Sequence, residues 1–138
     1  MDINAFVISE EGQDLINSGT WVGDFDEAPG VRLKVKGLRS DDVEKHRKKL
    51  EAEILTKNRN KPLSDEQNAK MMLNVLADVV LQDWDGFTDK GEPLLYDKEL
   101  AKKWITSKQG DKFAMLVLTA AKRLDDEANE LVESLKKT

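Results

Sequence analysis

The residues that could do chemistry are few, and each group fails a test of spacing. His46 is the only histidine. It sits in Glu44-Lys45-His46-Arg47-Lys48-Lys49, with neither the nucleophile nor the orienting carboxylate that acid–base or covalent catalysis requires. The chain has no cysteine, so there is no soft co-ligand for a zinc site and no thiolate or disulfide chemistry. His46 therefore reads as a solvated residue on a helix surface. Asp83-Trp84-Asp85-Gly86 opens like a calcium loop, but a loop begun at Asp83 needs an oxygen ligand at Phe87, glycine at Thr88 and glutamate at Leu94. Asp83, Asp85, Asp89 and Glu92 read instead as turn-forming and solvated. Lys45 to Lys61 carries enough base to touch phosphate, yet it interleaves Glu51 and Glu53, has no aromatic for stacking and belongs to an acidic protein of net charge −5. The glycines are scattered at turns and build no phosphate loop. The expectation is a protein that is not an enzyme, binds no cofactor or metal, and is poorly suited to nucleic acid.

Function must then come from surfaces. The chain is long enough for one domain with a real core over residues 1–138, a hairpin region 1–38 preceding a helical region 40–138. No apolar run approaches the ~18 residues that cross a bilayer, and Met1-Asp2-Ile3-Asn4 lacks the basic and apolar parts of a signal peptide, so an intracellular protein with no membrane partner is expected. Charge is banded. Residues 1–30 hold seven acids and no Lys or Arg, while residues 31–61 hold eleven bases against five acids. Such bands suit electrostatic docking, including self-association head to tail, although solvated helix faces also produce them.

The elements follow from periodicity. Val31-Arg32-Leu33-Lys34-Val35-Lys36 alternates apolar and basic, as a half-buried strand does. Asp26-Glu27-Ala28-Pro29-Gly30 supplies a turn back to Trp21–Phe25. A register pairing Phe25 with Val31 and Trp21 with Val35 gathers the large apolar groups on one face and sets Asp24 opposite Arg32. An isolated hairpin is marginal, and Ile3–Ile8 is the weak candidate for a third strand. Ser40 caps a thinly apolar helix over residues 41–57. Ser64-Asp65-Glu66-Gln67 fits a capping box for a broad-faced apolar helix running to about Asp83. Asp97 caps a short helix, and Asp111 caps the last one. The last helix carries the stripe Phe113, Val117, Ala120, Leu124, Ala128, Leu131, Leu135 in steps of three and four; its distal half either docks on the core or projects toward a partner. The expected class is α+β, mainly α: an N-terminal β-hairpin packed on a bundle of about four helices. Trp21 and Trp104 read as core. For Trp84, placed at a helix end beside a loop, core and partner contact both stay open.

This order of elements resembles a known family. A Trp-bearing hairpin ending in Val31-Arg32-Leu33-Lys34-Val35-Lys36 precedes a charged helix. An apolar helix then runs into Leu81-Gln82-Asp83-Trp84-Asp85-Gly86-Phe87, followed by Gly91-Glu92-Pro93-Leu94 and Tyr96-Asp97-Lys98-Glu99. Over roughly residues 18–125 this is similar to the tail assembly chaperones of long-tailed bacteriophages, the siphophage group encoded before the tape measure gene. The resemblance implies a non-enzymatic protein of the host bacterial cytoplasm. Such a protein would bind the tape measure protein, help recruit the tail tube protein, and be absent from the finished virion. The surfaces suited to that role are the apolar helix 64–83 and the terminal stripe, with Leu81, Trp84, Phe87, Leu124, Leu131 and Leu135 as the partner-contact residues. A head–tail connector or tail-completion protein is the alternative, with a small nucleic-acid-binding regulator behind it.

Overall fold

A computed structural model describes residues 1–137 of the chain. Five α-helices dominate: α1 Glu10–Ser18, α2 Asp41–Lys57, α3 Asp65–Val75, α4 Lys98–Ile105 and α5 Asp111–Lys136. Strands β1 Thr20–Val22, β2 Arg32–Val35 and β3 Leu81–Asp85 form an antiparallel sheet with β2 in the middle. Strands β4 Thr88–Asp89 and β5 Glu92–Pro93 make a separate small hairpin. The class is α+β, mainly α.

The capping signals act as the sequence implies. The Ser40 hydroxyl accepts from the Val43 N–H at 3.2 Å and starts α2. Ser64 and Gln67 cap each other reciprocally, and Asp97 accepts from the N–H groups of Glu99 and Leu100. At α5 the expectation needs correcting. Asp111 is the first helical residue, Gly110 precedes it without a side-chain cap, and Ser107 caps a 3-10 turn over Lys108–Gly110 instead.

The hairpin register differs from expectation by one residue. Thr20 pairs with Val35, Trp21 with Lys34 and Val22 with Leu33. Because side chains alternate, a one-residue slip exchanges the two faces. Val22, Leu33 and Val35 point into the core, and Trp21 lies on the outer face under the Arg32 guanidinium, 5.0 Å from the ring centre. Asp24 takes a positive φ of 57° and interrupts the alternation, which returns Phe25 to the interior. Arg32 is paired across the sheet to Asp85 at 2.9 Å, not to Asp24.

The third strand is β3, not Ile3–Ile8, which holds a 3-10 turn at Ile3–Phe6. The apolar helix opened by Ser64 is α-helical only to Val75. Leu76–Val80 widens into a π turn in which the Leu81 N–H reaches back to the Leu76 carbonyl, and the chain then enters β3. α1 is an added element, capped by Ser9 and packed along the distal half of α5. That half is therefore docked, with Lys136 bonded to Glu11 at 3.0 Å.

One contiguous core joins the sheet's inner face to Val75–Val80 and to Val117, Ala120, Leu124 and Ala128 of α5. Asp125 ties α5 to the connection between β2 and α2, accepting from the N–H groups of Leu38 at 3.0 Å and Arg39 at 3.2 Å. Burial raises its carboxyl pKa, and the two backbone donors act in the opposite direction.

Candidate interaction surface

The segment richest in aromatic signal folds into a closed cage. Trp84 is on β3, not at a helix end, and only 4% exposed. Phe87, Tyr96 and Phe113 meet its ring edge-on at centroid distances of 5.7, 5.1 and 5.7 Å, and Trp104 stacks at 6.3 Å. Its indole N–H donates to the Leu94 carbonyl at 2.8 Å, and the Leu94 N–H donates to the Phe87 carbonyl at 2.9 Å. The bridge between them is the β4–β5 hairpin, whose turn residues Lys90 and Gly91 both have positive φ, the geometry of the tight turn that matches strand twist. Gly86 also takes a positive φ, and a Cβ there would run into the Gly30 carbonyl. The spacing from Trp84 to Leu94 thus serves to close a lid over a tryptophan.

This distributes the expected partner residues. Leu81, Trp84 and Leu124 are buried in the core, because β3 and α5 turn them inward. Phe87 and Leu131 are half-covered and packed against that core. Leu135 is 55% exposed, beside a shallow groove that Leu15 and Val132 also line, between α1 and α5. The six residues do not form one patch.

A different apolar surface is open. Leu38, Met72, Leu73, Leu76, Ala114, Met115 and Leu118 line a groove of about 300 Å³ between α3 with its π turn and the first half of α5. Asp111 and Lys122 are its charged lining residues. Met115 is 53% exposed, and Met72, Leu73 and Leu118 are partly exposed. Methionine is unbranched and polarisable, so such a lining adapts to varied apolar shapes. The groove was not read from the sequence, since Met115 and Leu118 flank the buried stripe and Leu38 lies in a connection. The available signal was the breadth of apolar residues around Met72 and Leu73, more than one core-facing stripe requires.

A polar clamp fixes the groove's π-turn wall. Asp78 accepts from Lys102 of α4 at 2.7 Å through one oxygen and meets His46 Nε2 of α2 at 2.9 Å through the other. Burial pushes the Asp78 carboxyl up, but the hydrogen bonds from Lys102 and His46 outweigh it and hold it below the ordinary range. His46 is therefore a half-buried structural partner, not a freely solvated side chain. Among the described residues no group of three or more His, Asp or Glu is placed to hold a metal. No helix among them is long and apolar enough to cross a membrane.

A model of the YdaY prophage protein family matches residues 38–137. The chain belongs to the YdaY prophage protein family. The chain is therefore phage-derived. The match includes the whole groove, the clamp and the Trp84 cage, and begins after β1, β2 and α1. No curated protein and no solved structure matches the chain.

Proposed function

We propose that this phage-derived protein is a tail assembly chaperone that acts by covering apolar helical surface on the tape measure protein, without a chemical step. The reading rests on the methionine-lined groove between α3 and α5. An amphipathic helix lays its apolar anchors into a groove of this kind, and mobile methionines accept anchors of differing shape. Family membership supports a phage role, and the order of elements from β2 to α4 supports the tail chaperone group. On this reading the protein works in the host cytoplasm, holds the tape measure protein soluble, helps bring tail tube subunits to it, and leaves before the virion is complete.

Co-expression with the tape measure protein of the same phage tests this. The tape measure protein should move from the pellet to the soluble fraction with the wild-type chain, and should stay in the pellet with Met115→Glu. Equal insolubility with and without the wild-type chain would overturn the proposal. Recovery of the chain from purified particles would instead favour a structural connector.

A further inference from the structure

The lining of the methionine groove is apolar except for two charges, and both belong to α5. Asp111 is the first α5 residue in the lining and Lys122 the last, with Ala114, Met115 and Leu118 between them. The spacing keeps to one face of the helix. Eleven residues make about three turns, so Asp111 and Lys122 share that face, about 16.5 Å apart along the axis at 1.5 Å per residue. The break in α5's helical geometry, at Glu127, lies beyond this stretch.

Neither charge is used by the fold. Both residues are exposed, and among the described residues no ion pair or side-chain hydrogen bond engages either one. An acid in a first helical turn complements the macrodipole, which is reason enough for Asp111. Lys122 sits in mid-helix, where the charge of the helix ends does not reach. The two charges cancel in sum, so the groove attracts neither sign of partner. The pair instead has direction: negative at the start of α5, positive three turns later.

We propose that Asp111 and Lys122 fix the direction of the helix that the groove receives. The occupant runs antiparallel to α5. It sets an acidic side chain against Lys122 and, about eleven residues later, a basic one against Asp111, with its apolar anchors between them on Met72, Met115 and Leu118. This direction rests on the reading of the groove as a helix-binding surface given above. Charge and helix chemistry select the same sense. Opposite charges must meet at both positions, because the reversed placement sets like against like twice. A helix also favours acids toward its N-terminus and bases toward its C-terminus. That order reaches Lys122 first and Asp111 second only when the occupant is antiparallel. The partner class is therefore an amphipathic helix whose apolar stripe is bracketed by an acid before it and a base after it.

A synthetic amphipathic peptide tests this, with a leucine stripe and a glutamate placed eleven residues before a lysine. In a spectrum of the wild-type chain, a nitroxide on the peptide's N-terminus should broaden the amides around Lys122 more than those around Asp111. Equal broadening, or the reverse, would overturn the proposal. That measurement needs no variant. Lys122→Glu should weaken peptide binding about fivefold at low salt, the scale of one exposed pair turned from attraction to repulsion. Changing the peptide's glutamate to lysine should restore it. Binding indifferent to K122E, or a loss that the changed peptide does not repair, would count against the pairing. Met115→Glu should abolish binding, and peptide that still binds M115E, or fails to bind wild type, would refute docking in the groove. The chaperone reading is separable. If wild type keeps the tape measure protein soluble but takes the peptide in either direction, the direction falls and that reading stands. If it orders the peptide but leaves the tape measure protein in the pellet, the reading falls and the direction stands.

Discussion

The Trp84 cage and the methionine groove flank the same helix, α5, and one is closed while the other is open. In the cage, Phe87, Tyr96, Trp104 and Phe113 surround the indole, and its only polar group is bonded to Leu94. In the groove, Met72, Met115 and Leu118 face a cavity with nothing from the described chain filling it. The cage is rich in aromatics, which makes it conspicuous in the sequence, and its chemistry is spent on holding β3, α4 and α5 together. The groove is built of plainer side chains from three separate segments, and its apolar surface remains available. Prominence of residue type and availability for binding are thus separate properties here.

Substitutions should divide along that line. Trp84→Ala should cost the most, about 3–5 kcal/mol, because it empties the centre of a packed cluster; urea denaturation reads this, and a loss under about 1 kcal/mol would mean that the cage is not central to the fold. Asp125→Ala should cost about 1–2 kcal/mol by leaving the Leu38 and Arg39 N–H groups without their acceptor.

Asp78→Asn should have a smaller effect, shaped by pH. Its folded carboxyl titrates below the ordinary value, so its stabilising effect is fully present above the unfolded pKa of about 3.9 and fades as pH falls through the folded one. The acid limb of a stability–pH curve should therefore flatten in the variant, and an unchanged limb would show that the clamp does not hold α2 and α4 to the π turn. Met115→Glu should change stability least, within about 0.5 kcal/mol, because the residue is exposed and glutamate is a good helix former. It should nonetheless abolish capture of the tape measure protein. A variant that unfolds, or one that still binds, would break the division between the two regions.

How much of this was legible depended on how local the cause was. α2 was readable at its full length because Ser40 and the flanking Asn58 are local signals, and the capping box at Ser64 is likewise a property of four residues. The end of α3 was not readable. Val79-Val80-Leu81 is equally apolar as helix or strand, and the change is made by a π turn whose Asp78 is held by His46 and Lys102, residues distant in the chain. The hairpin register was lost at Asp24, whose positive φ shifts the inward face by one place. α1 was missed because Leu15 and Ile16 are its only large apolar residues and its partner is the far end of α5. The stripe of α5 was right in period, but its middle turned out to be buried against the sheet. The groove lay one line of residues to the side, where exposure is set by what α3 and Leu38 do.

Methionine methyl resonances offer the most direct test of the claim that the open groove is the binding surface. The chain has four methionines: Met1, fully exposed, Met71 inside the core, and Met72 and Met115 in the groove. On titration with an amphipathic helical segment of the tape measure protein, the Met72 and Met115 methyls should shift while Met71 and the Trp84 indole N–H stay in place. Movement of the Trp84 indole with Met72 and Met115 unmoved would contradict the account.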